Sequence, residues 1–431
     1  MPPKILLINP PIYDFAAYDF WLKPYGLLTV GGFLQDKADF RLFDYLDRLH
    51  PAVPVDKKLR SDQFCRGEFY SELLPKPAVF AKIPRRYHRF GLPRHIFQQW
   101  LANESPFDFA LIQTGMTYWY PGVKEVIDDI RQICPKTKIV LGGVYATICP
   151  QHAQSLGADL VVKGADLEPL WQFLNILPST DTVPLWHAYP KLAVGVLKLT
   201  DGCPFKCSYC SVPQTYKTFA PRPLRRVIAE FELLRSRGVR NIAFYDDALL
   251  FDAEHILVPF LRHVIETGSE INFHTPNALH ARYITAELAR LMVQAGFKMF
   301  YLGFESSQND WQKRTGGKVS ADEFAAAVKN LLDAGADPKN ITAYIIAGHP
   351  NSVVSDVESS AKYANKLGVR IMLTEFSPIP NTPDGLLCEK IVDMTEPLWH
   401  SKTAFPITFL GNDTVNRLKD LCHELNKNLC A

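Results

Sequence analysis

The chain lacks any uncharged apolar run near the roughly 18–20 residues that span a bilayer. Its opening apolar stretch, Ile5–Ile8, is only strand length, too short for the core of a secretory signal. It also lacks low-complexity tracts and has little net charge, +2 from 47 Lys and Arg against 45 Asp and Glu. Neither disorder nor a global pull toward nucleic acid or an anionic membrane follows from such a composition. The reading is a cytoplasmic protein with no membrane partner and no nucleic-acid partner. A disulfide framework is excluded as well, because the nine cysteines of the 431 residues are odd in number and unevenly spaced. Cys65, Cys134, Cys149, Cys388, Cys422 and Cys430 stand singly and read as small buried hydrophobes.

What is present is a repeated rhythm: a short β-rich run, a Gly- or Pro-marked loop, then a helical pattern. That rhythm predicts an α/β protein with parallel sheets and crossover helices. In a first domain, residues 1–180, the runs are Lys4–Asn9, Phe40–Phe43, Phe109–Gln113, Lys138–Leu141 and Leu160–Lys163. Five such strands predict a doubly wound, flavodoxin-like (Rossmann-type) sheet, which binds ligands beyond its carboxyl edge. A long insert at 45–94 interrupts the series with 11 Lys and Arg, 5 Asp and Glu, and six Phe or Tyr between Phe64 and Phe90. Its densest basic cluster, Arg85, Arg86 and Arg89, is the candidate for gripping a substrate phosphate or carboxylate. A solvated basic face is the plain alternative. Residues 191–384 give six more runs, from Ala193–Leu199 to Ile371–Phe376. They predict a partial (β/α)6 TIM barrel with its chemistry at the carboxyl ends of the strands. Residues 385–431 form a C-terminal extension with a helix near Val415–Leu429.

The chemistry concentrates directly after the first barrel strand, in Asp201-Gly202-Cys203-Pro204-Phe205-Lys206-Cys207-Ser208-Tyr209-Cys210. Three soft thiolates on one loop suit an iron–sulfur cluster. A structural zinc site needs a fourth ligand nearby, and His187 and His263 fall outside the usual spacing. Three cysteines on a cubane leave one iron open.

This Cys-x3-Cys-x2-Cys loop resembles that of the radical S-adenosylmethionine (SAM) superfamily, and later strand ends resemble its cobalamin-linked branch. The segments are Tyr245-Asp246-Asp247, Thr275-Pro276-Asn277-Ala278, Gly303-Phe304-Glu305-Ser306, Ile345-Ile346-Ala347-Gly348 and Ser377-Pro378-Ile379-Pro380-Asn381-Thr382. Ala278 and Asn381 stand where that branch often has glycine. The resemblance implies a 4Fe–4S cluster on Cys203, Cys207 and Cys210, with SAM held by Tyr209, Asp246, Asp247, Asn277, Glu305 and Ile346. A helix cap is an equal reading for the two aspartates, and a salt-bridged strand end for Glu305.

The first domain resembles the cobalamin-binding domain of the same branch, through Asn9-Pro10-Pro11, Gly142-Gly143 and Val161-Val162-Lys163-Gly164-Ala165-Asp166. Ala165-Asp166 departs from the Gly-Glu more usual in relatives. Cobalamin would then meet Asn9, Pro10, Gly142, Gly143, Gly164 and the loop Thr114, Gly115, Met116, Thr117 and Tyr118. No Asp-x-His-x-x-Gly occurs, so the resemblance implies a cobalt with no protein histidine beneath it, His152 being the competing ligand.

As the resemblance implies, the protein is a cobalamin-dependent radical SAM methyltransferase, an enzyme that cleaves SAM to a 5′-deoxyadenosyl radical and methylates an unactivated carbon. The cofactors would carry that chemistry. It also implies a flavodoxin- or ferredoxin-type electron donor and a small-molecule or protein substrate. A cobalamin-assisted rearrangement or cyclisation, and a non-catalytic iron–sulfur or cobalamin carrier, are the alternatives.

Overall fold

A computed structural model describes residues 2–55 and 59–429. Cys430, grouped above with the scattered cysteines, lies outside the described residues. The chain forms two compact units. One comprises Met1–Ala193, Glu232–Gly238 and Glu396–Leu398, and the other comprises Val194–Phe231, Val239–Thr395 and Trp399–Ala431.

The first unit is built on five parallel strands: β1 (Lys4–Asn9), β2 (Asp39–Asp44), β3 (Phe109–Thr114), β4 (Lys138–Gly143) and β5 (Leu160–Val161). Their order is 2-1-3-4-5, the flavodoxin-like arrangement, with its switch point between β1 and β3. Ile5, Leu6, Leu7 and Ile8 are all fully buried, as a central strand covered on both faces demands. Helix Tyr120–Ile133 presents Val123, Val126, Ile127 and Ile130 to the core beneath β3 and β4, at the spacing of one helical face. Gly122 lets this helix start against the turn after β1: a Cβ there would meet the Pro11 carbonyl oxygen at 1.9 Å.

The insert is built into the fold. Its strands Ser71–Leu74 and Tyr87–Phe90 pair antiparallel, and Tyr87–Phe90 also pairs with Ile12–Asp14 beyond the end of β1. Much of its positive charge is matched. Arg48, Arg60, Arg66 and Arg94 bond Asp19, Glu68, Asp62 and Asp129. The reading of Arg89 as a substrate contact needs correction. Its side chain is 2% exposed and makes three hydrogen bonds to Glu125, so it holds the insert to helix Tyr120–Ile133. Arg86 is exposed and Arg85 half-buried.

The main path of the second unit's sheet is six parallel strands in sequence order, β6 (Val194–Leu197), β7 (Asn241–Phe244), β8 (Asn272–His274), β9 (Phe297–Glu305), β10 (Ile341–Ala347) and β11 (Arg370–Glu375), with the short strand Leu279–His280 also paired parallel to β9. This is the partial barrel. Phe231, Phe244, Phe260, Phe273 and Phe297 stack within its core. Helix Ala321–Asp333 begins with a reciprocal capping box between Ser320 and Glu323. The open edge at β11 is met by helix Asn412–Asn428, where the Asn426 amide bonds both the N–H and the carbonyl of Ile371. A side chain pairing as a strand would is one way to blunt an edge. Among the described residues no helix is long and apolar enough to cross a membrane.

Candidate functional site

The cysteine loop leaves β6 through a two-residue ribbon, Thr200–Asp201 against Ala220–Pro221. Gly202 turns at φ +77°, with the Thr218 carbonyl oxygen 2.5 Å from where a Cβ would stand, so the loop base closes only around glycine. The three thiols are free and half-buried. The Cys210 N–H donates to the Cys207 carbonyl at 3.1 Å, and the Val212 N–H to Cys210 Sγ at 3.5 Å. Burial pushes the Cys203 thiol up to about 11 and that of Cys210 up to about 12, each rising further from the other thiols' charge. Among the described residues no three His, Cys, Asp or Glu side chains stand in a finished metal-ligating arrangement. The donor set itself fits the cluster: three desolvated thiols on one loop, with a cation beside them to offset the thiolates.

That cation is Lys318, which sequence reasoning missed. Its side chain is 12% exposed and bonds Glu305 Oε1 at 2.8 Å; burial raises Cys207, and Lys318 partly offsets that rise. The Gly316–Gly317 turn brings it in, since a Cβ on Gly316 would lie 3.0 Å from the Cys207 Cα. Two glycines before a lysine were the available signal. Glu305 is in the left-handed region (φ +63°) at a bulge in the β9–β10 pairing, and such strain in a non-glycine residue gathers at functional positions. The salt-bridged strand end and a ligand contact are therefore one residue's two roles to weigh, with Lys318 its partner here.

Asp246, at the end of β7, accepts through Oδ1 from the N–H groups of Leu199 (2.9 Å) and Thr200 (2.6 Å) and from the Thr200 hydroxyl (2.7 Å). It ties β7 to the base of the cysteine loop; it caps no helix. Its other oxygen is buried with no partner, a position for an incoming donor. Asn277 reaches across to the carbonyls of Tyr245 and Asp246. Burial pushes Asp247 up while Lys198 draws it back. Tyr209 and Ile346 share an apolar cluster with Trp311 and Phe376, Tyr209 lying nearly parallel to Trp311 at 6.1 Å.

Burial pushes Asp246 up to about 6. The fold favours its protonated form, so stability falls as pH rises from about 4 to about 6, where the unfolded chain has already lost the proton. Asp246→Asn keeps the acceptor and removes the buried charge. The ligand-free variant should gain about 3 kcal/mol on the wild type across that window. Denaturation curves against pH measure this, and a gap that stays flat with pH would refute it.

In the first unit, the ligand edge of the sheet divides. Gly115, Met116, Gly142, Gly143 and Gly164 reach the surface, Met116 being 47% exposed and its neighbour across the edge, Val144, 38%. Behind them Asn9, Pro10, Thr114, Thr117 and Tyr118 are buried. Asn9 bonds Asp44, and the Thr114 hydroxyl joins the Gly142 carbonyl to the Ala146 N–H. These five shape the edge from beneath. Gly143 (φ +113°) passes so close to Thr114 that a Cβ would meet its carbonyl oxygen at 2.4 Å. An exposed, glycine-lined, apolar rim fits a corrin. His152 has Nδ1 on the Tyr145 hydroxyl and lies edge-on to Tyr120 at 4.6 Å.

Residues 197–364 match the sequence model of the radical SAM superfamily. An uncharacterized methyltransferase of Pyrococcus horikoshii is 25% identical over 210 residues, 48% of this chain and 44% of its own. The chain thus spans under half the length of that relative. The solved structure of TsrM, a radical S-adenosylmethionine methyltransferase from Kitasatospora setae with cobalamin and a [4Fe–4S] cluster bound, gives a TM-score of 0.70 at 14% identity, over 98% of this chain and 91% of that one. OxsB, a cobalamin-dependent S-adenosylmethionine radical enzyme with aqua-cobalamin bound, gives 0.58 at 12% identity, over 98% and 56%. The chain therefore holds a segment that matches the radical SAM superfamily model, and it shares its fold with these two solved proteins.

Proposed function

We propose that the protein is a cobalamin-dependent radical SAM methyltransferase acting on an unactivated carbon of a small molecule or protein, with a flavodoxin- or ferredoxin-type donor supplying electrons. The observation that carries this is the half-buried three-thiol loop, ringed at the strand ends by Lys318–Glu305 and by the unpartnered oxygen of Asp246. When bound, the 4Fe–4S cluster supplies the electron that cleaves SAM, and cobalamin supplies the transferred methyl group. Cys203, Cys207 and Cys210 would hold the cluster. The free oxygen of Asp246, with Asp247 and Asn277 beside it, accepts the amino group of SAM. Tyr209 and Ile346 give an apolar wall that keeps water from the adenosyl group. Glu305, fixed by Lys318, faces the remaining polar groups of SAM. In the other unit, Gly115, Met116, Gly142, Gly143 and Gly164 would let a corrin lie against backbone.

Anaerobic reconstitution with iron, sulfide and hydroxocobalamin, followed by SAM and dithionite, tests the reading. It expects 5′-deoxyadenosine, and with substrate a product heavier by one CH2. A product of unchanged mass would replace methylation by rearrangement. No deoxyadenosine from a fully loaded protein would leave a carrier.

A further inference from the structure

The chain beyond the last barrel strand returns to the cysteine loop and grips it chiefly at Ser208. Ser208 lies between Cys207 and Cys210. Its hydroxyl donates to Asp384 Oδ2 at 2.5 Å, its carbonyl accepts the Asp384 N–H at 3.2 Å, and its own N–H donates to the Thr315 carbonyl at 3.1 Å. Each of its three polar groups is engaged. A further bond, from the Gln214 side chain to the Pro380 carbonyl at 2.8 Å, ties the far end of the loop to the same returning segment.

Asp384 is itself held firmly. Oδ2 also takes a bond from His349 Nε2 at 2.8 Å. His349 is fully buried between Trp311 (5.4 Å) and Phe376 (4.8 Å). Its Nδ1 accepts the Asn351 N–H at 3.1 Å, so the proton is assigned to Nε2 and is donated to the carboxylate. The backbone leading to Asp384 is fixed as well. Asn381 sits in the left-handed region at φ +62°, where asparagine is tolerated, and a Cβ on Gly385 would meet the Ile379 carbonyl oxygen at 1.9 Å. The arrangement is no hydrolytic triad, because the carboxylate, not the imidazole, receives the serine hydroxyl.

We propose that Asp384, oriented by His349, is a positioning residue for the iron–sulfur cluster: through Ser208 it holds the Cys207–Cys210 half of the loop in its ligating shape. The inference rests on the cluster reading above. A charged hydrogen bond at Ser208, between Cys207 and Cys210, added to the Thr315 and Pro380 contacts of the loop, resists opening of the thiols away from iron. Ser208→Ala removes one hydroxyl from a half-buried loop, and Asp384→Asn keeps the shape while losing the charge.

The test uses the reconstituted full chain and follows iron transfer to a chelator, the cluster's midpoint potential, and the melting temperature of the iron-free protein. Both variants should take up a full cluster, release iron about tenfold faster than the wild type, and show a shifted potential. The double variant should be no faster than Asp384→Asn alone, since the two groups act as one contact. Ser208→Ala should leave the iron-free melting temperature unchanged, which a merely structural role would not. Wild-type release rates and potential in both loaded variants would overturn the inference while the cluster reading stood. A wild-type protein that takes up no iron would overturn both.

Discussion

Arg89→Met should lower the stability of the first unit by about 3–5 kcal/mol, the usual effect of stranding one partner of a buried ion pair. The Arg89 guanidinium meets Glu125 three times, at 2.7–3.1 Å, and donates to the Leu92 carbonyl at 2.6 Å. It also lies over the Tyr45 ring at 5.3 Å. Glu125 takes the Tyr13 hydroxyl at 2.6 Å and is otherwise enclosed, its side chain 5% exposed. Removing Arg89 leaves that carboxylate buried without its cation. The double variant Arg89→Met, Glu125→Gln removes both charges and should recover most of the loss. Urea denaturation of the three proteins measures this. A wild-type stability for the single variant, with a raised KM for substrate, would return Arg89 to the substrate site.

The same residue shows where sequence reading reached its limit. The insert's excess of Lys and Arg is real, and while Asp62 and Glu68 within it answer Arg66 and Arg60, the acids that answer Arg48, Arg89 and Arg94, namely Asp19, Glu125 and Asp129, lie outside it. A local charge count cannot see partners brought in by folding. The strands were far more legible. β1 is Lys4–Asn9 at both ends, because a strand buried on both faces is a continuous apolar run. At the sheet edge β5 is only Leu160–Val161, since beyond it just the Val162 N–H still reaches β4, at the Leu141 carbonyl (2.8 Å). β9 runs from Phe297 to Glu305, longer than the apolar run within it, because Lys298 is exposed and interrupts the pattern. The cysteine loop declares itself through spacing alone. Lys318 and Asp384 do not: one reaches the loop across 111 residues from Cys207 and the other across 176 from Ser208, and no local periodicity encodes such a return.

Replacing Cys203, Cys207 and Cys210 together by Ala should remove about four irons per chain and the brown absorbance after anaerobic reconstitution. No other side chains among the described residues form a metal-ligating group that could substitute. The loss should not be an unfolding. The three cysteines are half-buried on a loop and stand outside the apolar cluster around Trp311 and Phe376, and burial holds them as neutral thiols in the iron-free protein, so Ala removes no buried charge. The melting temperature of the iron-free protein should therefore equal or exceed that of the wild type. Deoxyadenosine production should vanish with the iron, while hydroxocobalamin binding in the other unit should persist. Retention of a 4Fe–4S spectrum by the triple variant would show that the loop is not the cluster's anchor. Loss of iron together with a collapsed melting temperature would show that the thiols hold the barrel's fold instead.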